Sequence, residues 1–151
     1  MRFVIQRVNR ASVSAEGRVL GRIGKGFMVL AGICETDTKE TADKMIAKMA
    51  KLRIFDDENG KTNLDINTVG GSLLIVSQFT LYADCRKGNR PSFIKAGDPQ
   101  RAEELYEYIL KKAQEFVPDV QRGEFGAHMK IDLENDGPFT VILDSAELLR
   151  K

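Results

Sequence analysis

The run Phe27-Met28-Val29-Leu30-Ala31, apolar throughout and bounded by Gly26 and Gly32, restricts the fold more than any other stretch of the chain. It is short for a helix and has no polar face, so it reads as a strand covered on both sides. A second such strand, Ser72-Leu73-Leu74-Ile75-Val76, follows a turn at Gly70-Gly71. Ala11-Ser12-Val13-Ser14-Ala15 alternates small apolar with polar residues, as a half-buried strand does. Near the end, Met129, Ile131 and Leu133 alternate, and so do Phe139, Val141 and Leu143, with Asn135-Asp136-Gly137-Pro138 reading as a tight turn between two strands.

Two helices interrupt these strands. Asp37 with Glu40 three positions later resembles a capping box, and Ala42, Met45, Ile46 and Met49 form one apolar stripe behind it. Asp98 and Pro99 form a second start signal, followed by an apolar face of Ala102, Leu105, Tyr106, Ile109, Ala113 and Phe116. Strands outnumber helices and the two do not alternate, which predicts an α+β arrangement over a doubly wound one. These patterns do not separate an open sheet from a barrel. With 151 residues, 42% of them hydrophobic, the chain is expected to form one domain over 1–151.

Composition narrows the function classes. Basic and acidic side chains number 23 and 22, so contact with RNA has to come from a local basic surface. Cys34 and Cys85 have no CxxC partner, and His128 is the only histidine, so a Cys/His zinc site cannot be assembled. Reduced thiols and a cytoplasmic location are expected. Charges at Arg2 and Arg7 come too early for a signal-peptide apolar core, and no run approaches the roughly 18 apolar residues of a membrane span.

Several motif matches fail. Gly60-Lys61-Thr62 lacks the upstream glycine of a phosphate loop, Asp56-Asp57-Glu58-Asn59-Gly60 misplaces the ligands of a calcium loop, and Gly21, Gly24 and Gly26 have the wrong spacing for a dinucleotide fingerprint. His128 reads as a surface or packing residue. Two segments carry more information. Ser77-Gln78-Phe79-Thr80 follows directly on a buried strand, where polar residues line a site or simply mark a polar strand edge. Beyond it, Arg86, Lys87 and Arg90 lie on a loop with Phe93, either a grip for phosphates or a solvated basic surface.

At these positions the chain resembles the D-aminoacyl-tRNA deacylase family. Ser77-Gln78-Phe79-Thr80 matches that family's SQFT motif, and Asn135-Asp136-Gly137-Pro138-Phe139-Thr140 its NxGPxT motif. The resemblance also takes in Met1-Arg2, Gln6-Arg7-Val8, Leu52-Arg53-Ile54-Phe55, Tyr82-Ala83-Asp84 and Arg90-Pro91-Ser92-Phe93. Phe139 stands where valine is more usual, and Thr62 where methionine is common.

The resemblance implies a compact β-rich, barrel-like protomer that forms a homodimer with two active sites at the interface. It implies hydrolysis of the ester of D-aminoacyl-tRNA, with a cis Gly137-Pro138 peptide entering the partner's pocket. There its carbonyl oxygens would occupy the space an L side chain needs. Glycine has no side chain to reject, so glycyl groups misloaded on tRNA(Ala) would also be cleaved. The 2′-hydroxyl of the terminal ribose would help activate water, and N–H groups around Phe79 and Thr80 would hold the oxyanion. Thr80 as a nucleophile is the alternative, although no base for it is visible. Arg86, Lys87 and Arg90 are the candidates for the acceptor end. No metal, cofactor or membrane is implied. Two rival readings are a non-enzymatic RNA-binding module and a small-molecule esterase using Thr80.

Overall fold

The computed structural model describes residues 1–151. Its spine is β1 (Arg2–Ala15), which is hydrogen-bonded along different stretches to three other strands. β2 (Arg18–Ile23) pairs antiparallel with its C-terminal half, and β3 (Gly26–Gly32) antiparallel with its N-terminal half. After helix α1 (Lys39–Ala50), a small separate hairpin forms from β4 (Phe55–Asp56) and β5 (Thr62–Leu64). β6 (Ser72–Ser77) then pairs parallel with β3, and after α2 (Pro99–Ala113) β7 (Val120–Arg122) pairs parallel with β6. β8 (Lys130–Asp144) returns along β1, and α3 (Ser145–Leu148) ends the ordered elements. The result is an α+β protein, a mixed sheet curled almost into a barrel with helices packed on it.

Two apolar clusters explain why β3 and β6 are apolar on both faces. On the outer face Phe3, Ile5, Phe27, Val29, Leu73 and Ile75 meet the buried sides of α1 and α2. On the inner face Met28, Leu74 and Val76 meet Val8, Ala11, Val13 and Ile23, with Met129, Ile131 and Leu133 against them. A side chain from either face leaves water, each worth about 1.5–3 kcal/mol when fully buried. The Tyr106 hydroxyl donates to the Ile75 carbonyl at 2.7 Å and accepts from the Gly123 N–H at 3.3 Å, fastening α2 to β6. Burial pushes that phenol up to about 12.

Near-closure of the barrel depends on Gly21. A Cβ built there would lie 2.8 Å from the Arg122 carbonyl oxygen and 3.2 Å from Gln121 Cβ, so β2 and β7 approach closely only without a side chain.

Two local expectations need correction. Helix α1 is capped by Thr38, whose hydroxyl accepts from Thr41 N–H at 3.2 Å while Thr41 Oγ1 accepts from Thr38 N–H at 3.3 Å. Asp37 is unavailable for capping because its buried carboxylate accepts from the Met1 ammonium at 2.7 Å and from Cys34 N–H at 2.8 Å. Asn135–Pro138 is likewise no turn between separate strands. From Ile131 onward both alternating segments belong to β8 and pair with β1, Met129 preceding the strand, and the interruption is a local register shift opposite Gln6 and Val8. The alternation was right; a bulge-like interruption leaves the same polar, Gly- and Pro-containing signature as a hairpin turn.

Replacing Gly21 with valine is expected to lower unfolding free energy by about 1–3 kcal/mol through overpacking at the β2–β7 seam. Urea denaturation compared with the unsubstituted chain measures this.

Candidate active site

Ser77 is the last residue of β6, level with Ala31 of β3, and Gln78 N–H extends the ladder by donating to the Ala31 carbonyl at 2.8 Å. A single 3₁₀ turn, Phe79–Tyr82, follows. Being first in that turn, the Phe79 and Thr80 N–H groups precede any internal acceptor. Neither finds one elsewhere in the chain, and Gln78 provides no side-chain cap. The sequence therefore ends a rigid buried strand in a turn that presents two free N–H donors side by side.

Phe79, with Ser77 and Gln78 before it, lines a cavity of about 670 Å³, and Thr80 follows just outside that lining. The cavity floor is apolar, from Leu30, Ala31, Val76 and Ile131. One part of the wall comes from the α2 start at Asp98 and Pro99, another from Phe125–Met129. Phe79 is 56% exposed and meets the ring of Phe93 edge-on, with centroids 5.1 Å apart. Neighbouring Ile94 is 87% exposed, so apolar surface continues outward from the rim. His128, read from sequence as a surface or packing residue, is exposed and also lines this cavity. Sequence patterns had no means of finding the 125–129 wall, because these residues reach the site only through the connection from β7 to β8.

The NxGPxT segment lies elsewhere on the same protomer. Gly137-Pro138 is a cis peptide, and none of its atoms borders the Ser77–Phe79 cavity. From β6 to β8 the path crosses β3 and β1 and shifts several residues along the strands, a separation on the order of 20 Å. One chain does not bring the two motifs together.

Side chains hold this segment in place. Asn135 Oδ1 accepts from Phe139 N–H at 2.6 Å, and the Asn135 amide donates to Gln6 Oε1. Thr140 Oγ1 donates to the same Gln6 oxygen at 2.5 Å. Arg7, almost fully buried, donates through Nε to the Asp136 carbonyl at 3.0 Å and through Nη1 to the Ile54 carbonyl at 2.8 Å. Gly137 has φ +136°, a conformation side chains rarely adopt, and a Cβ there would crowd Phe139 N at 3.1 Å and Arg7 Nη2 at 3.2 Å. Asparagine, glycine and threonine of the motif each have a structural reason in this chain.

The basic loop is closed at its base by an antiparallel bridge, in which Asp84 and Ser92 exchange backbone hydrogen bonds at 2.7 and 2.9 Å. Arg86, Lys87 and Arg90 are all exposed on it. Arg86 is engaged, however. It donates to both oxygens of Asp84, Nε to Oδ1 at 2.9 Å and Nη2 to Oδ2 at 2.7 Å, and holds that carboxyl well below the usual carboxylate range. Lys87 and Arg90 form no ion pair.

Asn135→Ala is expected to lower stability by about 1 kcal/mol, the usual net worth of a hydrogen bond, and to speed exchange of the Phe139 amide. Chemical denaturation and residue-resolved hydrogen exchange test the two halves of that expectation.

Comparison with known proteins places the chain. A family model described as D-Tyr-tRNA(Tyr) deacylase matches residues 4–144. A D-aminoacyl-tRNA deacylase of Thermosipho melanesiensis is 50% identical over 98% of this chain and 99% of its own length. One from Lactobacillus helveticus is 53% identical over 95% and 99%. Among solved structures, one described as a c-Myc DNA unwinding element binding protein superposes with a TM-score of 0.90 at 38% identity, covering 95% of this chain and 98% of that one. One described as a probable eukaryotic D-amino acid tRNA deacylase reaches 0.83 at 16% identity, over 94% and 97%, and shares the fold. With a family model spanning nearly the whole chain and relatives at half identity end to end, this protein belongs to the D-Tyr-tRNA(Tyr) deacylase family.

Proposed function

We propose that the protein hydrolyses the ester bond of D-aminoacyl-tRNA in the cytoplasm, releasing the D-amino acid and free tRNA. The observation that carries this reading is the pair of unpartnered N–H groups at Phe79, which lines an apolar cavity, and at the adjoining Thr80, in a chain of this family. Attack of water on the ester carbonyl creates a negatively charged oxygen, and donors fixed in advance stabilise it at no cost of reorganisation. Collapse of the tetrahedral intermediate then expels the ribose 3′-oxygen. The Thr80 hydroxyl makes no hydrogen bond to a base, so the ribose 2′-hydroxyl orients the water and Thr80 is not acylated. Ser77 and Gln78 contribute the polar edge that positions the ester.

Chiral selection falls to Gly137-Pro138. Since roughly 20 Å of sheet separates it from Ser77–Thr80 within one chain, the complete site needs a second copy. The exposed Phe79, Phe93 and Ile94 supply apolar surface for that homodimer. Peptide carbonyls inserted beside the substrate α-carbon exclude an L side chain and admit hydrogen, so glycyl-tRNA is a second substrate. Lys87 and Arg90 contact phosphates of the acceptor end, and Arg86, already paired with Asp84, contributes less.

The test is deacylation of D-tyrosyl-tRNA against L-tyrosyl-tRNA by the purified protein. Loss of the D ester alone is expected. Hydrolysis of both keeps the esterase and removes the selector; hydrolysis of neither by folded dimer leaves a nucleic-acid-binding role. Thr80→Ala should retain substantial activity, whereas a terminal 2′-deoxyadenosine should abolish most of it. A folded, tRNA-binding but inactive Thr80→Ala enzyme would favour the nucleophile instead. Charge reversal at Lys87 and Arg90 is expected to weaken tRNA binding and reduce its logarithmic salt slope by about one for each phosphate no longer neutralised.

A further inference from the structure

We infer that Asp98 is a specificity-determining residue, whose carboxylate binds the α-ammonium of the aminoacyl group while the Phe79 and Thr80 N–H groups hold its carbonyl oxygen. This inference rests on the proposed reading of the cavity as the site of aminoacyl ester hydrolysis.

An aminoacyl ester differs from a simple ester by the ammonium on its α-carbon. Among the side chains that line the cavity, Asp98 is the only carboxylate, and no lysine or arginine accompanies it. His128 is the one other titratable side chain of the lining. Asp98 is the N-cap of α2, and its Oδ2 accepts from Arg101 N–H at 3.2 Å. Its Oδ1 accepts no hydrogen bond from the chain, and the carboxylate belongs to no ion pair. The Arg101 guanidinium is engaged elsewhere, donating to the Glu35 and Asp37 carbonyls at 3.0 and 2.9 Å. The N-terminal end of α2 carries about half a positive charge, which favours the ionised carboxylate without cancelling it. This corner of an otherwise apolar cavity is therefore net negative and has one oxygen to offer.

The donors and the carboxylate are anchored on the same strand exit. Gln78, just before Phe79, donates its N–H to the Ala31 carbonyl at 2.8 Å. Gly97, just before Asp98, donates its N–H to the Ile33 carbonyl at 3.0 Å. Ala31 and Ile33 are two positions apart, about 7 Å of extended chain. An acyl group that bridges an N–H donor and a carboxylate spans about 8–9 Å. That length is two hydrogen bonds of about 2.8 Å, plus about 3 Å from its carbonyl oxygen to its ammonium. The spacing of the two anchors thus suits one aminoacyl group lying across the end of β3. With carbonyl and ammonium both held, two substituents of the α-carbon are fixed in direction. Gly137-Pro138 of a second copy then has only to tell the hydrogen from the side chain.

The experiment measures kcat/KM near neutral pH for D-phenylalanyl-tRNA and for D-phenyllactyl-tRNA, which carries a hydroxyl in place of the ammonium. Asp98→Asn and Asp98→Ser are compared with the unsubstituted protein. Asparagine and serine cap a helix about as well as aspartate, so both variants keep the start of α2 and lose the charge. The unsubstituted protein is expected to prefer the aminoacyl ester. Each variant is expected to lose about tenfold on that ester alone, between the worth of an exposed ion pair and that of a charge-assisted hydrogen bond. The preference falls by the same factor, and comparing it between proteins cancels the different intrinsic reactivities of the two esters. A preference that survives in both variants, or an equal loss on both esters, overturns the inference and leaves Asp98 a helix cap. So does an unsubstituted protein that shows no preference. If that protein hydrolyses neither ester, the proposed esterase reading fails first, and the two failures are told apart by that measurement.

Discussion

Every layer of this protein depends on one strand having more hydrogen-bonding partners than a flat sheet permits. β1 serves β3 and β8 with its first half and β2 and β8 with its second, and it bends between the two. The bend lets one chain segment belong to both sides of a curled sheet. The curl turns the two faces, already separated by strand alternation, into an inner set and an outer set, and it gives α1 and α2 a face to cover. It also places the irregularity of β8. Where β1 turns, a fifteen-residue partner cannot stay in register, and the Asn135–Pro138 interruption falls there. The segment Asn135–Thr140 thus occupies the point where the ladder has to break.

Much of this was legible in the residue pattern. The continuous apolar runs at Phe27–Ala31 and Leu73–Val76 reported strands covered twice, and the structure supplies both covers. The stripes at Ala42–Met49 and Ala102–Ala113 were helical and buried as their spacing required, while Phe116, counted in the second stripe, lies beyond the end of α2 and is half-buried. Capping went astray by one residue at α1 because Asp37 is claimed by the Met1 ammonium, an interaction between positions far apart in the chain. The supposed hairpin at Asn135–Pro138 failed for a related reason. Local residue chemistry marks a break in regular pairing, but whether the chain reverses there is decided by the partner strand.

The candidate site was legible in part. Ser77–Thr80 stood out as polar residues at the exit of a core strand, and the structure gives that exit a cavity and two free donors. The Phe125–Met129 part of the cavity wall was not legible, since it arrives by tertiary folding and bears no signature of its own. The basic loop shows the limit of counting charges. Its three cations are equivalent by residue type, yet Asp84 already neutralises Arg86 and leaves Lys87 and Arg90 to face outward. Resemblance supplied what physics alone left open at Gly137-Pro138, and the contacts of Gln6, Arg7 and Asn135 now give that motif a physical basis.

The seam beside Gly21 has a mechanical side. β7 is hydrogen-bonded only to β6, and toward β2 it makes close packing in place of a ladder. The chain that leaves β7 becomes the wall formed by Phe125–Met129, with the Tyr106 hydroxyl at Gly123 as its tether on that side. The most weakly laced margin of the sheet and the outer wall of the cavity are thus one stretch of backbone. Any opening at that margin would widen the chamber from this wall, whereas the floor rests on the continuous parallel pairing of β3 with β6.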